Sequence, residues 1–205
     1  TKLSISLAQA VNGAIISADS MQVYRHMDIG SAKIRPEEMC GVPHYLIDVL
    51  DPSEEFHVVK FVELAHEAME KIYAAGQIPI VTGGTGFYIQ ALLKEVDFTE
   101  SHGELPIRKQ LEEKAATEEG AAELYRELSE VDPASAETIH PNNVKRVIRA
   151  LEYYHETGQK ISEHNEEQKQ KESPYCSAYF VLNDERSILY DRIDRRVDQM
   201  ICDGL

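Results

Sequence analysis

The stretch QIPIVTGGTGFYIQALL, residues 77–93, contains a short apolar run, a glycine-rich loop and the start of an apolar helix. The run at 78–81 predicts a buried strand, and the glycines behind it let backbone amides approach a ligand closely. Upstream, AIIS at 14–17 and VPHYLIDV at 42–49 predict further short strands, with a helix between the second run and the third. Because strands alternate with helices, the sequence predicts an α/β fold with a parallel sheet flanked by helices.

The helices that should cover this sheet carry their own signals. TKLSISLAQAV at 1–11 predicts a helix that ends near Gly13. We expect its buried stripe to be formed by Leu3, Leu7, Ala10 and Val11. A second helix is predicted from Pro52 and Ser53 to Gly76, with acids in its first turn. Its expected apolar face is formed by Val58, Val62, Ala65, Met69 and Ile72.

The chain changes character after the third strand and its helix. Several helical stripes follow with almost no strand signal, and residues 100–138 contain eleven acids against four Lys or Arg. The run YCSAYFVLN at 175–183 predicts a return to β structure before a last amphipathic helix. We therefore expect an α/β core, residues 1–96 and 175–205, interrupted by a helical insertion domain at 97–174.

Composition limits the classes of function. The chain has 205 residues, 42% of them hydrophobic, and a formal net charge of -15 at pH 7. A general polyanion-binding domain would usually be basic, so any contact with nucleic acid must use a local positive patch. No apolar run reaches the ~18 residues that a membrane-spanning helix needs, so we expect no membrane association. Cys40, Cys176 and Cys202 lack zinc-ligand spacing and predict reduced thiols in a cytoplasmic protein.

Polar residues follow two of the predicted strands, at the edge where ligands of parallel sheets bind. In ADSMQVYR, residues 18–25, Asp19 could act as a general base or simply cap a turn. Arg25 and Lys33 could neutralise phosphate charge. In TGGTGFY, residues 82–88, the glycines could cradle an anion or form a tight turn into the helix. From the residues alone, both interpretations of each loop stay open.

Five longer motifs occur in one order along the chain: DSMQVYRHMDIGSAK at 19–33, GVPHYLIDVLDPSEEF at 41–56, VTGGTGFY at 81–88, DPASAETIHPNNVKRVIRALEYYHETG at 132–158 and LYDRIDRRVDQM at 189–200. In these motifs, and over essentially all of its length, the sequence resembles bacterial tRNA dimethylallyltransferases. That family transfers a dimethylallyl group from its diphosphate to the exocyclic amine of the adenosine beside the anticodon. The resemblance implies a P-loop-kinase-like core and a helical insertion that helps to hold the tRNA anticodon stem-loop. It also implies dimethylallyl diphosphate as the second substrate.

The resemblance implies roles for individual residues. Asp19 would be the general base on the adenine amine, and Thr85 would be a second catalytic residue. The family's tRNA contacts match the loop after the first strand, the glycine loop and the basic segment 145–149. The implied tRNA-binding residues are Asp19, Ser20, Met21, Gln22, Thr85, Arg108, Lys145, Arg146, Val147, Ile148 and Arg149.

For the diphosphate, the resemblance implies Arg196 as a binding residue, since a guanidinium fork suits two phosphate oxygens. Thr1 would be the last hydroxyl residue of a G-x-x-x-x-G-K-[ST] loop, in contact with diphosphate and with Mg²⁺, the implied cofactor. The rest of that loop would precede Thr1, so we expect these residues to be part of a longer protein. His26, Ser31 and Ile34 depart from the family pattern, which usually has Gly, Thr and Pro there.

Other features have simpler explanations. His44 and His140 have no second ligand at helical spacing, and we expect both to make structural hydrogen bonds. In the last helix, Arg192 and Arg195 could belong to a solvated face on which Asp191 pairs with Arg195. The expected apolar stripe of that helix is formed by Leu189, Ile193, Val197, Met200 and Ile201.

Three other functions remain compatible with the sequence. A small-molecule P-loop kinase would share the core but would have a compact lid in place of the basic insertion. A cytokinin-type adenylate dimethylallyltransferase would use free adenine nucleotides as the acceptor. A non-catalytic RNA-binding module would lack the phosphate-binding loop. The sequence does not give the oligomeric state, and a monomer is our expectation.

Overall fold

The chain forms two compact units in its computed structural model, which describes residues 1–98 and 106–205. The sheet unit comprises Thr1–Glu95 and Ser173–Leu205, and the helical unit comprises Val96–Glu172. None of the helices in the described ranges is both long and apolar enough to cross a membrane.

The sheet unit is built on parallel strands in the spatial order β2-β1-β3. Their bounds are Gly13–Ser17 for β1, His44–Tyr45 for β2 and Ile78–Thr82 for β3. Every residue of β1 is buried, and its Ile15 pairs with Ile80 of β3. The predicted fold class, a parallel sheet flanked by helices, is therefore confirmed.

Helix α1 (Lys2–Val11) packs on the sheet through Ile5 and Ala8. The predicted stripe is wrong, because its members are all exposed: Leu3, Leu7, Ala10 and Val11. Both sets of residues have helical spacing, so the pattern alone could not separate them. Contact with Ile15 and Val42 decides which face of α1 is buried.

The turn between α1 and β1 uses Asn12, and not Gly13, as the C-cap. Asn12 has a left-handed backbone with φ 52°, and its N–H bonds to the carbonyl of Ala8. Gly13 is needed for space instead, because an added Cβ would lie 2.8 Å from Ile80 Cδ1 and 2.9 Å from the Ile78 carbonyl oxygen. The glycine therefore reflects the close approach of β1 and β3.

Helix α2 (Val58–Ala74) begins later than predicted, and the acids before it lie outside its first turn. The Asp51 carboxylate accepts hydrogen bonds from the N–H and hydroxyl of Ser53, at 3.0 and 2.6 Å, and closes a separate turn. Such side-chain bonds to nearby backbone compete with helix formation. The helix starts only after His57, whose Nδ1 accepts a bond from the N–H of Lys60 at 3.4 Å.

The core of the sheet unit lies between β1 and the pair of helices α2 and α3 (Gly86–Lys94). Ile16 points to this side, where Phe61 stacks on Tyr88 with ring centroids 4.9 Å apart. Ile15 points to the other side and packs against α1, so β1 is covered on both faces. The predicted apolar face of α2 is confirmed, with Val58, Val62, Ala65, Met69 and Ile72 buried or half-buried.

The strand predicted at 175–183 is not formed. Residues 171–185 contain no helix or strand, and Phe180, Val181 and Leu182 are 77%, 76% and 76% exposed. A β-prone run becomes a strand only where a second strand pairs with it. Within the described chain, no strand pairs with this run.

Helix α9 (Arg186–Cys202) forms as predicted but has no buried residue. Its expected stripe is mostly exposed, and the predicted surface pair is replaced by other contacts. Arg195 Nε donates to the main-chain carbonyl of Asp191 at 3.0 Å. Arg192 instead pairs with Asp184, with an N–O distance of 2.9 Å.

The described part of the helical unit consists of helices joined by short turns. Their bounds are Pro106–Lys114 for α4, Glu118–Val131 for α5, Pro133–Thr138 for α6, Val144–Thr157 for α7 and Ile161–Gln170 for α8. Their aliphatic core is formed mainly by Leu111, Leu124, Leu128, Val147, Ile148 and Leu151.

A buried carboxylate ties three of these helices together. Asp132 is 1% exposed and caps the N-terminus of α6, where it accepts bonds from the N–H and hydroxyl of Ser135 at 3.1 and 2.6 Å. It also accepts bonds from the N–H and hydroxyl of Ser162 in α8, at 3.0 and 2.6 Å. Burial alone would raise the pKa of Asp132, but these hydrogen bonds outweigh it and lower the pKa.

Candidate active site

Asp19 lies just past the carboxyl end of β1, as the sequence predicts. Its Oδ1 accepts hydrogen bonds from the N–H groups of Met21 and Gln22, at 2.8 and 3.2 Å, which closes a tight turn and orients the side chain. Among the described residues, Oδ2 has no hydrogen-bond partner. The half-buried carboxylate therefore keeps one oxygen available to a ligand.

Asp19 lines a crevice of ≈ 460 Å³ in the sheet unit. This volume is in the range of small-molecule sites, roughly 300–1,000 Å³. Polar or glycine residues from several separate segments border it: Thr1, Ser4, Ser17, Asp19, Gln22, Gly30, Ser31, His44, Thr82, Gly83, Gly84 and Arg196. The structure thus brings together four of the predicted site residues, namely Thr1, Asp19, Gln22 and Arg196.

The glycine loop is held against the Asp19 loop by main-chain bonds. Ala18 N–H donates to the Thr82 carbonyl at 2.8 Å, and Thr85 N–H donates to the Ala18 carbonyl at 3.3 Å. Gly83 is required by this contact, because an added Cβ would lie 2.2 Å from the Ala18 carbonyl oxygen. Thr85 is half-buried beside this contact and does not border the crevice.

A third segment, around Ser31 and Ala32, forms another wall. Gln22 Nε2 donates to the Ser31 carbonyl at 3.2 Å, and Arg196 Nη2 donates to the Ala32 carbonyl at 3.4 Å. Gln22 is therefore occupied in shaping the wall, while Arg196 is exposed and borders the crevice. Of the remaining loop residues, Ser20 is half-buried, and Met21 is exposed and lies outside the crevice lining.

Two cations expected to neutralise phosphate are engaged elsewhere. Lys33 Nζ bonds to the Tyr24 carbonyl at 2.7 Å and to the carboxylates of Asp28 and Asp48 at 2.7 and 2.5 Å. Burial alone would lower the pKa of Lys33, but these carboxylates outweigh it and the pKa is raised. Arg25 donates to main-chain carbonyls, including that of Asp48 at 3.1 Å. The phosphate role suggested for Lys33 and Arg25 is wrong, since both side chains hold the loop in shape.

The structure also places the three histidines that the sequence analysis discusses. His26 has φ 65°, a left-handed conformation that a glycine would adopt without strain. His44 Nδ1 lies 2.8 Å from the Val42 carbonyl, so the expected structural hydrogen bond is confirmed. His140 likewise accepts a bond from the N–H of Asn142 at 3.2 Å.

Thr1 is the residue expected to contact a metal ion. It precedes α1 and borders the crevice, and its side chain makes no capping hydrogen bond to the helix. Its hydroxyl is thus available as a single oxygen ligand. No group of three or more His, Cys, Asp or Glu with metal-ligand geometry occurs within residues 1–98 and 106–205. Mg²⁺ is often held by one or two protein oxygens together with substrate phosphates. The single hydroxyl of Thr1 fits a site of that kind and does not fit a site made of protein ligands alone.

The predicted RNA-contact segment lies on α7 of the helical unit. Lys145 and Arg146 are exposed, whereas Val147 and Ile148 are 1% and 4% exposed and belong to the core. Direct side-chain contact between RNA and these two core residues is therefore excluded, and their role is to hold the helix in place. Arg149 is half-buried on the same helix.

Arg149 and Arg108 meet at a residue that the sequence interpretation missed. Glu152 is 0% exposed, and its Oε2 lies 2.9 Å from Arg149 Nη1 and 3.4 Å from Arg108 Nη1. The sequence interpretation assigned no role to Glu152. A signal was present, because Glu152 follows Ile148 by four residues and so falls on the same buried face.

A parallel sheet, a glycine loop at its carboxyl edge and a polar crevice with one available carboxylate define an α/β protein with a crevice at the edge where parallel sheets bind ligands. More particularly, a model of the IPP transferase family matches residues 22–205, and the chain belongs to that family.

The relatives in that family have consistent descriptions. The chain is 63% identical to a tRNA dimethylallyltransferase of Lachnoclostridium phytofermentans, covering 100% of this chain and 65% of the relative. It is 50% identical to a tRNA dimethylallyltransferase of Bacillus cereus strain AH187, covering 100% of this chain and 64% of the relative. The chain thus spans slightly less than two thirds of the length of these curated relatives.

Solved structures agree with the fold. A tRNA delta(2)-isopentenylpyrophosphate transferase from Staphylococcus epidermidis is 41% identical with a TM-score of 0.61, over 99% of this chain and 65% of that one. A eukaryotic dimethylallyltransferase acting on tRNA is 39% identical with a TM-score of 0.85, over 99% of this chain and 50% of that one. These likenesses confirm the predicted fold class.

Proposed function

We propose that the protein containing this chain transfers a dimethylallyl group from dimethylallyl diphosphate to the exocyclic amine of the adenosine beside the tRNA anticodon. The observation that carries this proposal is the position of Asp19, at the edge of a crevice and with Oδ2 not engaged by the described residues. The names of the relatives, which are tRNA dimethylallyltransferases, support the same reaction.

In this reaction the amine nitrogen forms a bond to C1 of the allyl group while the C1–O bond to diphosphate breaks. The bonding electrons leave with the diphosphate, and the amine must lose a proton. Asp19 would accept that proton through Oδ2, because an adenine amine is a weak nucleophile that needs a base as the new bond forms. The turn that fixes Oδ1 keeps the carboxylate in one orientation, which favours transfer.

The leaving diphosphate needs positive charge and hydrogen-bond donors. Arg196 and the backbone of Gly83 and Gly84 border the same crevice as Asp19 and would supply them. The available hydroxyl of Thr1 would hold Mg²⁺, which when bound would neutralise charge on the diphosphate. Glycines at this edge also let a phosphate approach the backbone closely.

For the RNA, the exposed cations on α7 support a local contact. Lys145 and Arg146 are exposed, and Arg149 lies one helical turn from Lys145. Since the chain as a whole has a formal charge of -15, RNA would be repelled elsewhere on its surface. We expect modest affinity for an anticodon stem-loop and a steep decrease in affinity with salt, because phosphate contacts release counterions.

A transfer assay separates this proposal from its alternatives. The full-length natural protein is incubated with radiolabelled dimethylallyl diphosphate and Mg²⁺. Acceptors are an anticodon stem-loop with adenosine beside the anticodon, the same stem-loop with guanosine at that position, and AMP. Label is expected only in the adenosine stem-loop. Label only in AMP would favour an adenylate dimethylallyltransferase, and no transfer to any acceptor would contradict the proposal.

A further inference from the structure

Glu152 is a glutamate of α7 whose side chain is fully buried. It is 0% exposed, whereas the arginines that share its Oε2, Arg108 and Arg149, have side chains 35% and 33% exposed. The Nη1 atom of each arginine therefore contacts a buried carboxylate, while another part of the same side chain is exposed. The Oε1 atom of Glu152 is also buried and has no hydrogen-bond partner in the described chain.

Stability alone is a poor explanation for this arrangement. Burying a carboxylate is costly, and a buried ion pair often stabilises a protein no better than apolar residues of the same size. Here the cost is higher still, because Oε1 of Glu152 is left without a partner. By contrast, Asp132 in the same unit has both oxygens hydrogen-bonded.

The shared oxygen brings two guanidinium groups close together. The Nη1 atoms of Arg149 and Arg108 lie 2.9 Å and 3.4 Å from the same oxygen, so they are necessarily close to each other. Each guanidinium has five N–H donors in a planar fork, and the contact with Glu152 uses one nitrogen, Nη1, of each. Arg149 is four residues after the exposed Lys145 on α7, and so the pair extends the row of cations on that helix.

We propose that Glu152 is a positioning residue that holds Arg108 and Arg149 as a paired guanidinium site for the phosphate backbone of the anticodon stem-loop. This inference rests on the proposed function and adds a residue to it. Guanidinium forks bind phosphate oxygens in a fixed geometry, and a pair held by one carboxylate loses less side-chain entropy on binding than two mobile arginines.

Glu112 provides a matched control. It pairs with Arg108 Nε at 3.1 Å, but its side chain is 54% exposed. Replacing either glutamate with glutamine removes one negative charge near the same arginine. Charge alone would make both variants bind RNA more tightly, so a weaker affinity for Glu152→Gln cannot come from charge. The proposal therefore predicts weaker binding for Glu152→Gln but not for Glu112→Gln, although the two substitutions change the charge equally.

The experiment measures the dissociation constant of the anticodon stem-loop at several salt concentrations, using the full-length natural protein. For Glu152→Gln we expect roughly tenfold weaker binding and a salt slope reduced by about 1. For Glu112→Gln we expect unchanged or tighter binding. Circular dichroism during heating establishes that each variant is folded at the assay temperature. Equal or tighter binding by folded Glu152→Gln would overturn the inference.

A mutant cycle tests whether Glu152 acts through the arginines. In the Arg108→Ala/Arg149→Ala background, Glu152→Gln should cause no further loss of RNA affinity, and an additive loss would contradict the positioning role. Should Glu152→Gln not fold, Arg108→Lys and Arg149→Lys keep the charge and remove the fork. Wild-type affinity in both would overturn the inference, and tenfold losses would support it. If the wild-type protein itself does not bind the stem-loop, it is the proposed function that fails.

Discussion

Two aspartate turns, one in each unit, begin in the same way and end differently. Asp19 after β1 accepts hydrogen bonds from the N–H groups two and three residues ahead, and Asp132 before α6 accepts one from the N–H three residues ahead. At Asp132, the side chains of Ser135 and Ser162 then occupy both oxygens, and the carboxylate is 1% exposed. At Asp19, the second oxygen has no partner in the described chain, and the carboxylate borders a crevice.

The difference separates a structural carboxylate from one suited to proton transfer. A carboxylate that closes a fold makes every hydrogen bond it can, because a buried unpaired oxygen is costly. One that accepts a proton from a ligand must leave an oxygen available. The backbone differs in the same way: among the described residues, every non-glycine residue with positive φ, including His26, Ala32 and Leu46, lies in the sheet unit. Local strain of this kind often accompanies functional loops.

The largest expected effect is on catalysis. Asp19→Asn should lower the rate of dimethylallyl transfer by roughly a thousandfold, because a positioned general base contributes about 10²–10⁴-fold. Stability should hardly change, since the asparagine oxygen can still accept the N–H groups of Met21 and Gln22. Single-turnover transfer to the stem-loop measures the rate. Asp132→Asn is the control, and its rate per folded molecule should match the wild type. A rate within tenfold of wild type for Asp19→Asn would remove Asp19 as the base.

The next largest effect is on stability. Asp132→Ala should lower the free energy of unfolding by roughly 3 kcal/mol, because it leaves the buried N–H of Ser135 and the half-buried N–H of Ser162 without an acceptor. Asp19→Ala should cost about 1 kcal/mol, the usual loss for a capping residue near the surface. Urea denaturation of both variants measures the two values. Similar losses at the two positions would show that the two turns are not energetically different.

A smaller effect is expected from pH. The pKa of Asp132 is lowered from its ordinary 3.8, so the folded state favours the charged form. Its contribution is complete above the unfolded-state pKa and is lost as pH falls through the lower folded-state pKa. The stability difference between wild type and Asp132→Asn, of about 1–2 kcal/mol, should therefore shrink below about pH 4. Denaturation between about pH 6 and pH 3 measures it. A difference that grows with acidity would mean the sign is wrong.

The smallest effect concerns the strained backbone near the Asp19 loop. His26→Gly should raise the free energy of unfolding by about 0.5–1 kcal/mol, because relief of the left-handed conformation at φ 65° outweighs the added flexibility of glycine. Gly41→Ala is the opposite test. Its φ is 77° and nothing lies within 4 Å of an added Cβ, so only backbone strain would act and stability should fall. Destabilisation by His26→Gly would mean that the histidine side chain contributes more than its strain costs.

Much of the sheet could be predicted because its signals are local. The runs at 14–17 and 78–81 are apolar and bounded by turn residues, and both became strands with nearly the expected bounds. The run at 175–183 has similar composition but is not a strand, since no second strand of the described chain pairs with it. Composition favours extended structure, whereas pairing depends on what else is adjacent.

The candidate site likewise has some features that follow from local sequence and others that depend on tertiary contacts. Asp19 and the glycine loop could be expected at one edge, because parallel strands bring their carboxyl ends together. The engagement of Lys33 by two carboxylates could not be expected, since Asp28 and Asp48 approach it from different positions in the chain. Glu152 was missed for a related reason. Its charge favours exposure, and only the packing of α7 and the approach of Arg108 account for its burial.

The sequence by itself determined the alternation of strands and helices, the family and the loops that border the crevice, because these depend on residue type and spacing along the chain. Tertiary structure alone decided that α1 is buried through Ile5 and Ala8, that Lys33 supports a loop, and that Glu152 is buried against two arginines. The physical reason is that the free energy of a buried apolar face or charge depends on its neighbours in space. In each of these cases, at least one neighbour comes from a distant part of the chain.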